Sequence, residues 1–231
     1  MIEILQVPEK TTDEFSLSLK HQSLSHRVTW KLSRDIAKGL VKPAEVKRAL
    51  WWRIKHVQNP VVLGGNGNYH HLTYGLCANI ARPFGYIHID RHSDFGDKDF
   101  KYISMGGFVD YLLTSTRAQA GLLIGCDSRT EVPTISYTHL SKLEDRLDQE
   151  LNKFPQNVYV SVDLDVLTPV EFHSGYETGQ MTVKQLFDAL DTISKQKKII
   201  GGDVFGYAGN DESSLNTAIR CILKIDQSVS R

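Results

Sequence analysis

Two short stretches of the sequence set acidic and imidazole groups at every other position. In Tyr86-Ile87-His88-Ile89-Asp90-Arg91-His92-Ser93-Asp94, an apolar run gives way to a carboxylate, an imidazole and a second carboxylate at 90, 92 and 94. In Ser161-Val162-Asp163-Leu164-Asp165, two carboxylates follow the alternating Val158, Val160 and Val162. Strand side chains alternate with period two, so extended backbone through residue 94 turns Asp90, His92 and Asp94 to one side. Asp163 and Asp165 share a side for the same reason. Alone, the first stretch is either a ligand set for a divalent metal or a polar strand exit with solvated charges. For the second, aspartates that cap the next turn are the plain alternative. Four carboxylates gathered on one edge repel one another and stay charged only around a cation. Hard oxygen ligands with one or two imidazoles suit manganese first, with iron, cobalt or zinc as alternatives, bound as one ion or a pair.

The elements around these stretches must bring them together. Residues 2–7, 61–63, 85–90, 121–125, 157–163 and 199–204 read as strands, the first closed by Pro8. Helices are expected over 30–40, 44–57 (with Pro43 in the first turn), about 69–81, 107–115, 141–152, 182–194 and 213–225. Residues 9–29 give no assignment, and 95–106 read as a charged loop. Strands alternating with helices predict a three-layer α/β/α sandwich with a mostly parallel central sheet. Right-handed crossovers then put all strand C-termini on one edge, where such sheets bind ligands. No repeat or linker interrupts the chain, so residues 1–231 are expected to form a single domain.

Composition narrows the partners. Lysine plus arginine (27) balances aspartate plus glutamate (27), so no global field attracts nucleic acid or an anionic membrane. No run of about 18 apolar residues exists, and Met1-Ile2-Glu3-Ile4-Leu5-Gln6 lacks the pattern of a signal peptide. Cys77, Cys126 and Cys221 are odd in number and widely spaced, which suits free thiols in a reducing compartment. A cytoplasmic protein acting on a small molecule is the expectation.

On the residues quoted above, the chain resembles the ureohydrolase superfamily: arginases, agmatinases and formimidoylglutamases, with histone deacetylases as distant relatives. The matching strand exits are Gly64-Gly65-Asn66-Gly67-Asn68, Asp90-Arg91-His92-Ser93-Asp94, Ser161 through Pro169, and Asp203-Val204-Phe205-Gly206; Gly179-Gln180-Met181-Thr182 resembles the family's helix start. The resemblance implies an arginase-like sandwich holding two manganese ions. Asp90 and Asp163 would bridge them, and His92 and Asp165 would complete one ion's ligands. Asp94 would bind the other ion and hold the bridging hydroxide, which makes it the candidate catalytic residue. The implied reaction is attack of metal-bound hydroxide on a C–N bond of a small amidine-, guanidine- or amide-like substrate. Family members are usually homo-oligomers.

The chain departs from the family at three points. The first ligand histidine falls on Gly67, and His70, one turn later, is either its substitute or a histidine on a helix face near the pocket. The family's proton-shuttle His-Gly becomes Ser104-Met105-Gly106-Gly107, and the late glutamate becomes Gly206, which makes arginine or agmatine a poor substrate. Asn66, Asn68 and Glu177 are candidate substrate contacts. Arg91 either meets an anionic substrate or pairs with a neighbouring aspartate. Two alternatives stand beside the hydrolase: a catalytically inactive arginase-like protein with a binding role, and a single-metal deacetylase-like amidohydrolase.

Overall fold

A computed structural model describes all residues except 7–10, 22–25, 32–35, 37–39, 55, 97–100, 128–134, 139–142, 210 and 230–231. Its strands are β1 (Ile2–Gln6), β2 (His26–Lys31), β3 (Val61–Leu63), β4 (Phe84–Ile89), β5 (Ala118–Ile124), β6 (Ile135–Thr138), β7 (Asn157–Asp163) and β8 (Lys198–Phe205). They form one sheet in the order β2-β1-β3-β8-β7-β4-β5-β6, and every pairing within it is parallel. The helices are α1 (Thr11–His21), α2 (Pro43–Ile54), α3 (Leu72–Cys77), α4 (Val109–Ser115), α5 (Leu143–Lys153), α6 (Val183–Gln196) and α7 (Glu212–Val229). Among the described residues, no helix is long and apolar enough to cross a membrane.

Two apolar cores sandwich the sheet. On one face Ile87, Ile89, Val158, Val160 and Val162 pack with side chains of α1, α5, α6 and α7. On the other, Tyr86, Tyr159, Ile200 and Phe205 pack with α2, α3 and α4. Local chemistry starts the helices where the sequence suggests. Pro43 opens α2, where a missing N–H costs nothing. Thr182 caps α6 in a reciprocal box with Gln185.

The strands missed in the sequence are the two edges of the sheet. β2 and β6 each pair on one side only, so neither carries the long apolar run of a doubly covered strand. The helix expected over 30–40 is wrong at its start: Trp30 and Lys31 close β2, parallel to β1. Residues 32–35 and 37–39 of that expectation, like Pro8, Ser128 and Arg129, lie outside the described residues. The helix expected over 69–81 is shorter, with a 3-10 turn over Gly67–Tyr69 ahead of α3.

Candidate metal centre

β3, β8, β7, β4 and β5 lie side by side, and the exits of β3, β4, β5 and β7 meet at one cavity of about 460 Å³. Gly67, His70, Asp90, His92, Asp94, Asp163 and Asp165 line it, with Arg91, Met105, Tyr176 and Glu177 towards its mouth. The four aspartates are buried, at 1%, 7%, 3% and 4% exposure for Asp90, Asp94, Asp163 and Asp165.

The extended backbone expected through residue 94 stops at Ile89. Asp90 Oδ1 accepts from the His92 backbone N–H at 2.6 Å, an aspartate turn that takes the chain out of the ladder. Asp94 then adopts a left-handed backbone (φ 50°), and its carbonyl accepts from the N–H groups of Phe108 and Val109 at the start of α4. The three side chains therefore converge through a pinned turn, and not through strand alternation. Asp163 uses the same device: Oδ1 accepts from the Asp165 N–H at 3.0 Å and caps the 3-10 turn Leu164–Val166. Turn capping and site formation are thus compatible, because each carboxylate keeps a second oxygen for the cluster.

Those second oxygens surround His70. Its Nδ1 lies 3.1 Å from Asp90 Oδ2, 3.2 Å from Asp94 Oδ2 and 3.5 Å from Asp163 Oδ2. None of the three meets Nδ1 along a hydrogen-bond direction, although the side chain is buried. A second group sits towards solvent. His92 Nδ1 lies 3.0 Å from Asp165 Oδ2 and 3.6 Å from Asp90 Oδ1, with the imidazole half exposed. Asp90 faces both groups, one oxygen to each. His71 turns away, its Nε2 bonded to the Ile36 carbonyl.

Electrostatics follow from crowding. Burial pushes Asp163 well up, helped by the charges of Asp165 and Asp90. Burial and Asp90 also raise Asp94. Asp165 is pushed up to about 6 by burial and Asp90, against the pull of His92. Burial opposes charge on Asp90 too, but His88, His70 and His92 hold its carboxyl well below the usual range. The hydrogen bonds to Asp165 and then Asp90 raise His92 to about 11. In His70 the burial penalty is outweighed by Asp90, Asp94 and Asp163, which raise it well above the ordinary imidazole value.

Beneath the cluster lies a polar row that the sequence reading overlooked. His88 Nδ1 pairs with the Tyr86 hydroxyl (2.9 Å) and Nε2 with the His92 carbonyl (3.1 Å). Both ring nitrogens are engaged, so His88 braces Asp90 and is not available to a metal, although the three groups His70, His88 and Asp90 lie close together. On β7, the Ser161 hydroxyl donates to Asp203 Oδ1 of β8 at 2.6 Å, and the Tyr159 hydroxyl donates to Asp203 Oδ2 at 2.7 Å. Burial raises the Asp203 carboxyl against the pull of these donors. The signal was available: Tyr86 and His88 share a face with Asp90, as Tyr159 and Ser161 do with Asp163, under the same period of two.

The other sequence candidates fall at the rim. Arg91 pairs with acidic neighbours: Nε lies 2.7 Å from Asp127 Oδ2 and Nη2 lies 3.2 Å from Glu177 Oε2. Glu177 is exposed on the mouth of the cavity. Asn66 Oδ1 accepts from the Asn68 N–H at 2.8 Å and caps the turn before α3, while Asn68 Oδ1 accepts from the Tyr176 hydroxyl. Gly206 has φ +97°, and a Cβ there would lie 2.3 Å from Asp163 Oδ1, so the position admits no side chain. Gly106 faces open space.

The family model described as the arginase family matches residues 43–222. This chain belongs to the arginase family. Among curated proteins, this arginase-family chain is 27% identical over 142 residues to an uncharacterized protein of Thermotoga maritima; the match covers 62% of the chain and 55% of that relative. Among solved structures it resembles a hypothetical agmatinase from Burkholderia thailandensis, with a TM-score of 0.74 and 15% identity, covering 100% of this chain and 87% of that one. It also resembles an arginase from Bacillus caldovelox, with a TM-score of 0.67 and 15% identity, covering 99% and 97%. At these identities the likeness shows the arginase fold, with its parallel sheet and flanking helices.

Proposed function

We propose that this chain is a metal-dependent hydrolase that cleaves a C–N bond in a small amidine-, guanidine- or amide-like substrate. The observation that carries the reading is the convergence of four buried aspartates with His70 and His92 on one cavity at the strand C-termini. The donor set fits a divalent cation. Uncompensated, the carboxylates repel one another, and the buried Nδ1 of His70 lacks a hydrogen bond. Asp90, Asp94 and Asp163 would hold an inner ion, and Asp90, His92 and Asp165 an outer one. The oxygen-rich set suits manganese first, with iron or zinc as alternatives. A bound ion would supply Lewis acidity and make water more acidic at neutral pH.

The remaining work belongs to the chain. Asp90, with one oxygen towards each group, fixes their spacing. Asp94, with Oδ2 facing the inner group, is placed to accept a proton there. Arg91 holds Glu177 over the mouth and shapes entry. With no side chain possible at 206, a cationic guanidinium or amidinium finds no carboxylate there, which favours a neutral amide-like group. A single-ion amidohydrolase is the second reading, favoured by the self-contained outer group of Asp90, His92 and Asp165. The three buried thiols suit a reducing, cytoplasmic setting.

The test is metal analysis of the purified protein after incubation with manganese, followed by assays of ammonia, urea and acetate release from a substrate panel. Stoichiometric metal and release from the native chain are expected, and Asp163→Ala should lose both. Absence of stoichiometric metal in the native protein overturns the reading.

A further inference from the structure

We propose that the substrate carries a carboxylate away from its scissile C–N bond, and that this carboxylate takes the place of Glu177 on Arg91 when the substrate enters. The inference rests on the metal-dependent reading above and names the chemical class the cavity takes: a small acid whose reacting end is a neutral amide-like group.

Arg91 is built to stay where it is. Among the described residues lining the cavity it is the one lysine or arginine, set above a floor of four aspartates. Its side chain is 21% exposed, whereas Asp127 is 51% and Glu177 82% exposed. Asp127 holds it at two points. The Asp127 N–H donates to the Arg91 carbonyl at 2.9 Å, and Arg91 Nε donates to Asp127 Oδ2 at 2.7 Å. The exit of β4 is thereby tied to the exit of β5. The Nε proton is spent on this tie, and the two terminal nitrogens remain for a partner.

Glu177 is built to leave. Its contact is a single approach of Oε2 to Arg91 Nη2 at 3.2 Å, on a carboxylate that faces water. Exposed pairs of this kind add little stability. The backbone on either side is pinned, with the Tyr176 N–H donating to Ser174 Oγ at 2.9 Å and the Gly179 N–H to the Asp165 carbonyl at 2.6 Å. Release therefore needs only rotation of the Glu177 side chain into solvent. A carboxylate arriving inside the cavity meets both terminal nitrogens as a fork and is less hydrated than Glu177, so it gains more from the same guanidinium. Between floor and rim, Phe95 and Met105 give the wall apolar surface and Gly106 leaves it open. That stretch suits a short methylene spacer between the two ends of the substrate.

Calorimetric titration of the manganese-loaded full chain tests this. The probes are N-acetylglycine, N-acetyl-β-alanine and N-acetyl-γ-aminobutyrate, each beside its neutral carboxamide, so that the carboxylate stands at increasing reach from one amide. The native protein is expected to bind at least one acid more tightly than its carboxamide. Arg91→Gln should weaken that acid about 10- to 100-fold, the scale of a hydrogen bond to a charged group, and weaken the carboxamide far less. Glu177→Gln should tighten the acid, by up to about fivefold, because it removes the competing carboxylate. A preference for the acid that survives in Arg91→Gln assigns the carboxylate to the metal and overturns the proposal. Acid and carboxamide weakened equally show a structural role alone and also overturn it. So do equal binding of the two by the native protein, and an acid affinity that Glu177→Gln leaves unchanged or lowers. Metal content, measured beforehand, separates the two readings: a native chain that takes up no manganese defeats the metal-dependent reading, and this inference falls with it. Should Arg91→Gln not fold by circular dichroism, Glu177→Gln, at an exposed position, decides alone.

Discussion

Gly67 and Asp163 stand so close that a Cβ on residue 67 would lie 2.8 Å from Asp163 Oδ2. Asp163 has little room to yield, because its other oxygen is tied to the Asp165 N–H. Gly67→Ala is therefore expected to weaken metal binding about tenfold or more, the scale of disturbing a ligand's support. The backbone at 67 is not left-handed, so stability should change by less than about 1 kcal/mol. Co(II) titration and thermal melts measure the two effects, and native-like affinity in this variant would show that the corner is less crowded than described.

Gly206 lies on the opposite side of Asp163, at φ +97° and with Leu164 N 2.7 Å from its would-be Cβ. Gly206→Ala adds left-handed strain of about 1–3 kcal/mol to that clash. Urea unfolding is expected to show a loss at least this large. The same argument predicts that Gly206→Glu, which writes back the family's acidic residue, misfolds and does not gain guanidinium turnover. A folded, guanidine-cleaving Gly206→Glu protein would refute it.

The cluster makes the metal-free chain sensitive to pH. Asp165, raised from 3.8 to about 6, keeps its proton longer in the folded than in the unfolded state, so stability falls as pH rises across that window and stays reduced above it. His92, raised from 6.5 to about 11, contributes stability that is full below 6.5 and is lost as pH climbs towards 11. Both slopes have the same sign. Because a divalent ion neutralises these carboxylates and competes with these protons, manganese should raise the melting temperature little near about pH 5 and more near about pH 8. Melts with and without manganese across this range measure it; a shift that shrinks with pH contradicts the account.

Arg91 links Asp127 and Glu177 across the rim, with both acids at least half exposed. Such surface pairs contribute about 0–1 kcal/mol, so Arg91→Ala should leave melting temperature and metal content close to native. Freed from its partner, Glu177 no longer holds one position over the cavity. The expected kinetic change is in KM, with kcat nearly constant, for any substrate the panel reveals. A loss confined to kcat would place Arg91 in the chemistry instead.

How much of this the sequence disclosed depended on what each segment buries. β4 and β7 are covered on both faces, and their apolar runs and the polar exits at Asp90 and Asp163 were readable as a candidate site. β2 and β6, at the sheet edges, lack that signature and went unseen. Asp90, His92 and Asp94 were grouped for an incomplete reason, since strand alternation ends at Ile89 and an aspartate turn does the rest. His70 was one of two neighbouring histidines in sequence; only the packing of His71 against Ile36 separates them. Ser161 and Asp203 were visible as letters, but their proton arrangement depends on β7 and β8 lying side by side.

The parallel topology also fixes when the centre can exist. His70, Asp90, Asp94, Asp163, Asp165 and Asp203 come from the exits of strands that become neighbours only after helical crossovers close. No local fragment contains the whole cavity, and bringing β7 beside β4 costs chain entropy before its contacts repay it. A cation bound there would therefore not nucleate this protein in the way zinc nucleates a finger; it would report, on arrival, that the whole sheet has been assembled in the right order.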